Sequence, residues 1–154
     1  MTSNSSNKIG HVAIIMDGNS RWARQRSLKT IEGHKHGVNR LRDIVRYSAK
    51  SEITHLSVFA FSTENWKRSA SDVSDLMKLF LQSIIKEVPE LIENKVQLNF
   101  IGDIPRFSKS LVSQINSAMK DTQAKKPNLN LNVAISYGGR WDILNAIKLS
   151  LIHI

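Results

Sequence analysis

Asp17 stands at the end of an apolar run and is followed by Gly18, Asn19, Ser20, Arg21 and Trp22. One carboxylate in that position can hold Mg²⁺ while substrate phosphate oxygens and water complete the octahedron. The turn leads into a helix start, where free backbone N–H groups and the helix dipole favour a phosphate, and Arg21 adds a planar charged fork. Asp-Gly-Asn is also an ordinary turn sequence, so residue types alone leave a purely structural reading open. Neither Gly-x-x-x-x-Gly-Lys-Ser/Thr nor Gly-x-Gly-x-x-Gly occurs, which leaves P-loop and dinucleotide readings without support.

Two further segments offer chemistry. Gly33-His34-Lys35-His36-Gly37 places two histidines two residues apart. On a helix such residues do not face each other, so a metal chelate from His34 and His36 is not expected. A single histidine touching a phosphate is the functional reading, and an idle surface histidine the structural one. Phe61-Ser62-Thr63-Glu64-Asn65-Trp66-Lys67-Arg68 gathers hydroxyls, an amide, a carboxylate, an indole and two cations directly after an apolar run. A helix cap needs one such residue, and this segment holds several, as a functional loop does.

These residues need a scaffold, and the apolar periodicity supplies one. His11 to Met16 is expected to be a strand buried on both faces and stopped by Asp-Gly-Asn. Gly33 to Lys50 sets Val38, Leu41, Ile44 and Val45 on one face of a helix. His55 to Phe61 is a second strand. Ala70 to Asn94 is a long helix with Ser71 as N-cap, apolar around more than one face, and Pro89 is expected to kink or break it near Lys86. Val96 to Ile101 and Leu129 to Ile135 are further strands, Ser108 to Ala124 a helix, and Arg140 onward helical. Strand and helix alternate, which predicts an α/β fold, a mostly parallel sheet with helices on both faces. Ligands in such sheets gather beyond the carboxyl ends of the strands. Those ends are Asp17-Gly18-Asn19, Ser62 to Asn65, Gly102-Asp103 and Ser136 to Gly139, where polar and glycine residues cluster.

Composition bounds the partners. The chain has 154 residues, 41% hydrophobic and 23% charged, enough apolar content for one domain, expected over residues 11–154. Residues 1–10 read as a flexible lead-in without the apolar segment of a secretory signal. No apolar run approaches the roughly 18 residues of a membrane span. Zero cysteines exclude disulfides, thiolate metal sites and a cysteine nucleophile. Together these features predict a cytoplasmic protein. Lys and Arg outnumber Asp and Glu by 22 to 13, and residues 21–50 hold nine basic against two acidic residues. Such a field attracts polyanions, whether nucleic acid, an anionic membrane or a phosphorylated small molecule.

"HVAIIMDGNSRWA", "GHKHG", "LSVFAFSTENWKR", "NFIGD" and "LNVAISYGGRWDI" occur in this order from His11 to about Ile147. In combination they resemble the cis-prenyltransferases, above all the bacterial undecaprenyl diphosphate synthases, also called isoprenyl transferases. The resemblance implies Mg²⁺-dependent condensation of isopentenyl diphosphate onto an allylic diphosphate such as farnesyl diphosphate, giving Z double bonds and free pyrophosphate. Asp17 then matches the essential aspartate that engages Mg²⁺. Gly18, Asn19, Ser20 and Arg21 match the diphosphate cradle, with Trp22 beside it and His34 on a phosphate. Asn65 matches the position assigned to proton abstraction, and Ser62, Thr63, Glu64, Trp66 and Arg68 match substrate-contacting or loop-closing positions. The helix from Val73 to Leu91 is the candidate wall of a tunnel for the growing chain. A homodimer and peripheral contact with the inner membrane face are also implied.

The sequence departs from the family pattern in three ways. Ser20 replaces a second glycine, which is tolerated if the backbone there does not need positive φ. Thr30, beside Lys29, stands where many members carry a diphosphate-binding arginine. Family chains continue into later strands, an Arg-x-x-x-x-x-Arg-x-Ser block and a second Mg²⁺-binding glutamate, so this chain is expected to be C-terminally truncated and impaired in elongation. Two rivals belong to other classes. A basic nucleic-acid-binding module would use the same charge but lacks any recognisable nucleic-acid motif, and no nucleic-acid partner is expected. A non-catalytic accessory subunit would have less need of Asp17 and Asn65.

Overall fold

A computed structural model of the chain describes residues 9–151. Residues 1–8 of the lead-in expected over residues 1–10, and the last three residues, lie outside that range. Leu129-Asn-Leu-Asn-Val-Ala-Ile shows how the sheet forms: Leu129, Leu131, Val133 and Ile135 are buried on one face, while Asn130 and Asn132 point to the other. Strands β1 (His11–Ile15), β2 (His55–Ser62), β3 (Val96–Ile101) and β4 (Leu129–Tyr137) are all parallel, in the order β1-β2-β4-β3. Ile15 pairs with Phe59 and Ser62 with Tyr137, so Asp17, the segment after Ser62 and the segment after Tyr137 leave the sheet on one edge.

Helices α1 (Asn19–Arg24), α2 (Thr30–Ala49), α3 (Ala70–Glu93), α4 (Lys109–Asp121) and α5 (Gly139–Leu151) complete the order. Leu41 and Val45 of α2, with Leu76 and Ile84 of α3, pack against the Leu56, Val58, Leu98, Leu131 and Val133 face of the sheet. Each such side chain, fully buried, stabilises the fold by about 1.5–3 kcal/mol. α4 protects the open edge of β3. The Leu98 N–H donates to Thr122 Oγ1 at 3.1 Å, and the Phe100 N–H reaches Met119 Sδ at 3.4 Å. These contacts satisfy edge donors that a sheet otherwise leaves for another chain.

Four expectations need correction. β1 is an edge strand buried on one face only, Val12 and Ile14 packing on the core while Ile15 is 76% exposed, because an apolar run does not show which faces the fold covers. The helical layer lies on one face and one edge among the described residues. The opposite face is polar toward the amino ends of the strands, with His11 Nε2 2.8 Å from Ser57 Oγ and Asn99 Nδ2 donating to Asn132 Oδ1 at 3.1 Å, and apolar toward their carboxyl ends, where Ile15 and Ile101 are exposed. α3 runs unbroken through Pro89. The carbonyl of Ile85 that the proline leaves unpaired sits at an exposed turn, while Ile84 and Leu91 stay buried on the other side. Ser69, not Ser71, caps α3, its Oγ accepting the Asp72 N–H at 3.2 Å.

Candidate active site

Asp17 projects from the carboxyl end of β1 with its side chain 78% exposed. Its Oδ1 accepts the Gly18 N–H at 2.6 Å, and its Oδ2 accepts from Arg21 Nη2 at 3.0 Å. Gly18 adopts φ +88°, a left-handed conformation that glycine takes without strain, and its carbonyl receives the Trp22 N–H at 2.8 Å to start α1. Ser20 lies inside α1 and is absent from the positive-φ residues, so replacing a family glycine costs no strain there. The Trp22 ring contacts the tilted His36 ring, 4.4 Å away, and the Arg26 guanidinium, 4.3 Å away.

α1 lies close against α2 because α2 presents Gly33 and Gly37 to it. A Cβ on Gly33 would come within 2.1 Å of the Asn19 carbonyl oxygen, and one on Gly37 within 2.6 Å of Asn19 Oδ1. These glycines, read in sequence only as flanks of a histidine pair, fix where Asn19 sits. His34 and His36 diverge as their spacing predicts: His36 packs at a tilt against Trp22, and His34 turns inward. His34 Nε2 is buried and has no hydrogen-bond partner. Burial first, and then the nearby Arg68 charge, hold its pKa below the ordinary value, with Asp72 opposing. The ring is therefore neutral at pH 7.

The segment after β2 forms a 3-10 turn, Thr63–Lys67, closed by a reciprocal cap: Ser62 and Asn65 each bond the other's backbone N–H through their side chains. The Ser62 N–H donates to Asn65 Oδ1 at 2.9 Å, leaving the Asn65 amide hydrogens unengaged by this cap. Hydrogen bonds from its own backbone, and then from Ser62, hold the Glu64 carboxyl below the usual carboxylate range. Trp66 anchors the turn. Its Nε1–H donates to Ser136 Oγ at 2.9 Å, its ring packs on Phe61 and Phe107, and the Arg106 guanidinium lies 4.7 Å above it. Ser136 is fully buried at φ +49°. A non-glycine residue held in that region marks strain of the kind that collects at functional sites. Gly138 lets Thr63 approach, since a Cβ there would meet Thr63 Oγ1 at 2.5 Å. Sequence reading noted Ser136 and Gly138 only as strand-end residues; their loop-holding roles depend on a contact across the sheet.

Beneath this rim is an apolar cavity of about 160 Å³ between α2, α3 and the sheet. Met16, Asn19 and His34 line its upper end, while Phe80, Ile84 and Leu131 line its body. α3 supplies Leu76, Phe80 and Ile84 to its lining. The charge read from residues 21–50 is partly cancelled in the fold: Arg42 and Arg46 of α2 are paired with Glu87 and Glu90 of α3. Thr30 begins α2 behind Lys29, which makes no side-chain cap. Among the described residues no three His, Cys, Asp or Glu side chains gather as a metal cage. Asp17 still suits Mg²⁺, which commonly takes one or two protein carboxylates and completes its shell with substrate phosphates and water.

A family profile described as "Putative undecaprenyl diphosphate synthase" matches residues 15–153. The chain is 48% identical over 136 residues to an isoprenyl transferase of Neisseria gonorrhoeae, covering 88% of this chain and 54% of that protein. It is also 48% identical over 138 residues to the ditrans,polycis-undecaprenyl-diphosphate synthase ((2E,6E)-farnesyl-diphosphate specific) of Pasteurella multocida, covering 90% and 57%. Among solved structures, lavandulyl diphosphate synthase from Lavandula x intermedia, crystallised with dimethylallyl diphosphate, superposes with TM-score 0.88 at 34% identity over 93% of this chain and 61% of that one. A probable undecaprenyl diphosphate synthase from Campylobacter jejuni gives 0.77 at 29% identity, covering 96% and 63%. The chain spans about half the length of the curated relatives it matches. On this sequence match and this fold, the chain belongs to the undecaprenyl diphosphate synthase family of prenyltransferases.

Proposed function

We propose that the chain binds an allylic diphosphate such as farnesyl diphosphate and serves prenyl chain elongation with isopentenyl diphosphate as second substrate. The observation that carries this reading is the cavity: an apolar chamber whose upper end holds a buried, unpartnered imidazole nitrogen, next to the Asp17 strand tip. A greasy tail with an anionic head fits both ends. Tail burial contributes about 25 cal/mol per Å² of apolar area removed from water. The head would lie on Gly18, Asn19, Ser20 and Arg21, with Trp22 at its side and neutral His34 donating one N–H to an oxygen.

The exposed Arg21–Asp17 pair is of the class worth only about 0–1 kcal/mol, so a diphosphate can recruit Arg21 while Asp17 turns to a cation. Mg²⁺ there would neutralise charge on the departing diphosphate. Asp17 and the diphosphate oxygens would hold it. In the elongation step the allylic carbon–oxygen bond breaks, the isopentenyl double bond attacks that carbon, and a proton leaves the isopentenyl unit. Proton abstraction falls to Asn65, whose Oδ1, available when the Ser62 contact opens, would orient the leaving proton, which the departing diphosphate takes up. Ser62, Thr63, Glu64, Trp66 and Arg68 would position the second diphosphate and close over it. Homodimer formation, a cytoplasmic location and peripheral contact at the inner membrane face complete the reading. No described helix is long and apolar enough to cross a bilayer.

Calorimetric titration of farnesyl thiodiphosphate, an unreactive allylic analogue, with Mg²⁺ into the chain and its Asp17→Ala and Arg21→Ala variants tests this reading. Binding that weakens about tenfold or more in both variants supports it. Equal affinity in all three proteins removes the head-group assignment.

A further inference from the structure

The face of the sheet that the described helices leave open carries a row of polar side chains at the amino ends of the strands. His11 pairs in register with His55, His55 with Asn130, and Asn130 with Gln97. Paired residues of parallel strands point the same way, and their neighbours Val12, Leu56 and Leu131 pack on the core, so this row points to the open face. The His11 and His55 rings have their centres 5.8 Å apart, and both residues are exposed. A cation about 2.0–2.1 Å from one nitrogen of each of two rings sets the ring centres roughly 5–6 Å apart. The two imidazoles already stand at that separation.

Their other nitrogens are held. The Thr54 hydroxyl donates to the Gly10 carbonyl at 2.9 Å, and its Oγ1 lies 3.0 Å from His55 Nδ1. With its one hydrogen committed, Thr54 Oγ1 can only accept from the ring, which fixes the proton of neutral His55 on Nδ1 and leaves the Nε2 lone pair for a metal. His11 Nε2 lies 2.8 Å from Ser57 Oγ, which also accepts from Asn132 Nδ2 at 3.4 Å, while Asn132 Oδ1 accepts from Asn99. A hydrogen-bonded chain from β3 thus orients the ring on β1 and leaves Nδ1 as its ligating atom. Holding the far nitrogen in this way fixes the ring and tautomer of ligating histidines. Asn130, beside His55 in register, and water can supply the remaining oxygen donors. Imidazole nitrogen suits Zn²⁺, whereas Mg²⁺ prefers all-oxygen shells.

We propose that His11 and His55 form a Zn²⁺ site on the open face of the sheet, separate from the Asp17 rim. Asp17 follows His11 by six residues of extended chain, about 20 Å, so the ion sits at the opposite end of β1 from the diphosphate cradle. Edge strand β1 has β2 as its one neighbour in the sheet, and all of α1 and α2 lies between the two histidines in sequence. A metal clip that closes so long a loop removes closure entropy from the unfolded chain, and so ties β1 to β2 without entering the diphosphate site.

Calorimetric titration of Zn²⁺ into the full chain, with Mg²⁺ in excess, tests the site, and thermal melts run alongside. The proteins are the unmodified chain, His11→Ala and His55→Ala, with His36→Ala, His153→Ala and Asp17→Ala as controls. The expected result is one Zn²⁺ per chain, bound about tenfold or more weakly in each of the first two variants and equally well in the three controls. With Zn²⁺ at about 100 times its Kd, the Tm of the unmodified chain should rise by roughly 5–10 °C, and that of His55→Ala should not. Ring ¹⁵N NMR of the unmodified chain gives a reading independent of any variant: Zn²⁺ should shift Nε2 of His55 and Nδ1 of His11. Absence of saturable binding, affinity that survives both histidine variants, loss of binding in any control, or unmoved His11 and His55 rings overturns the site.

Discussion

Replacing Gly33 with alanine tests how the diphosphate cradle is held. The added Cβ would stand 2.1 Å from the Asn19 carbonyl oxygen, 2.9 Å from its carbon and 3.0 Å from the Ala23 Cβ. An unstrained carbon–oxygen contact is about 3.3–3.6 Å. The obstacle is backbone and cannot rotate away, so α1 must retreat by roughly 1 Å. Overpacking of this kind costs about 1–3 kcal/mol, offset by about 1 kcal/mol from alanine's better helix propensity. The expected net loss is about 0–2 kcal/mol, with Tm falling by roughly 2–4 °C per kcal/mol. Affinity for farnesyl thiodiphosphate should fall further than stability, by about tenfold or more, because an error near 1 Å in placed groups is expensive. Gly37→Ala is the control. Its Cβ meets the Asn19 side-chain amide, which can swing aside, so stability should stay within about 0.5 kcal/mol of the parent. Urea denaturation and calorimetry read both effects. A Gly33→Ala chain as stable as the parent that binds the analogue equally well would refute the packing of α1 on α2.

Two further predictions concern pH and the sheet edge. His34 has a folded pKa below its unfolded value of about 6.5, so the unfolded chain binds more protons between the two. Stability should be full above about pH 6.5 and fall as pH drops through that value, with a slope of at most about 1.4 kcal/mol per pH unit. His34→Gln should remove that slope. Glu64 and Glu90, held below their ordinary range, lose their contribution only at lower pH, and a His34→Gln chain that keeps the slope above pH 5.5 contradicts the assignment. Thr122→Val removes the buried acceptor of the Leu98 N–H and should cost about 1–3 kcal/mol, whereas Thr122→Ser should cost clearly less. Faster amide exchange at Leu98 in the valine variant alone is the matching signature, and equal exchange in both variants excludes the edge cap.

Much of this arrangement was legible because parallel sheets write simple patterns. Val96–Ile101 alternates apolar Val96, Leu98 and Phe100 with Gln97 and Asn99 and forms a strand with the expected bounds, and the strand ends predict where polar residues meet. The i, i+2 spacing of His34 and His36 was enough to separate their roles. What was not legible depends on partners distant in sequence. Ile15 is as apolar as its neighbour Ile14, and it is exposed because it points to the face that the helices leave uncovered while Ile14 packs on the core. Gly33 and Gly37 look like flexible flanks until α1 lies on them. Arg42 and Arg46 count as free positive charge until Glu87 and Glu90 arrive from α3. Pro89 reads as a helix breaker because local propensity ignores the packing and ion pairs that hold both sides of it.

The central claim is that one ligand spans the site from the Asp17 rim to the cavity body. Amide and methyl NMR of the chain, recorded as farnesyl thiodiphosphate and Mg²⁺ are added, tests it directly. The account predicts concerted shifts at Gly18, Asn19 and the His34 ring together with the methyls of Ile84, Leu131 and Val133. Shifts confined to the rim, with the cavity methyls unmoved, would contradict it and leave an anion site with no tail pocket.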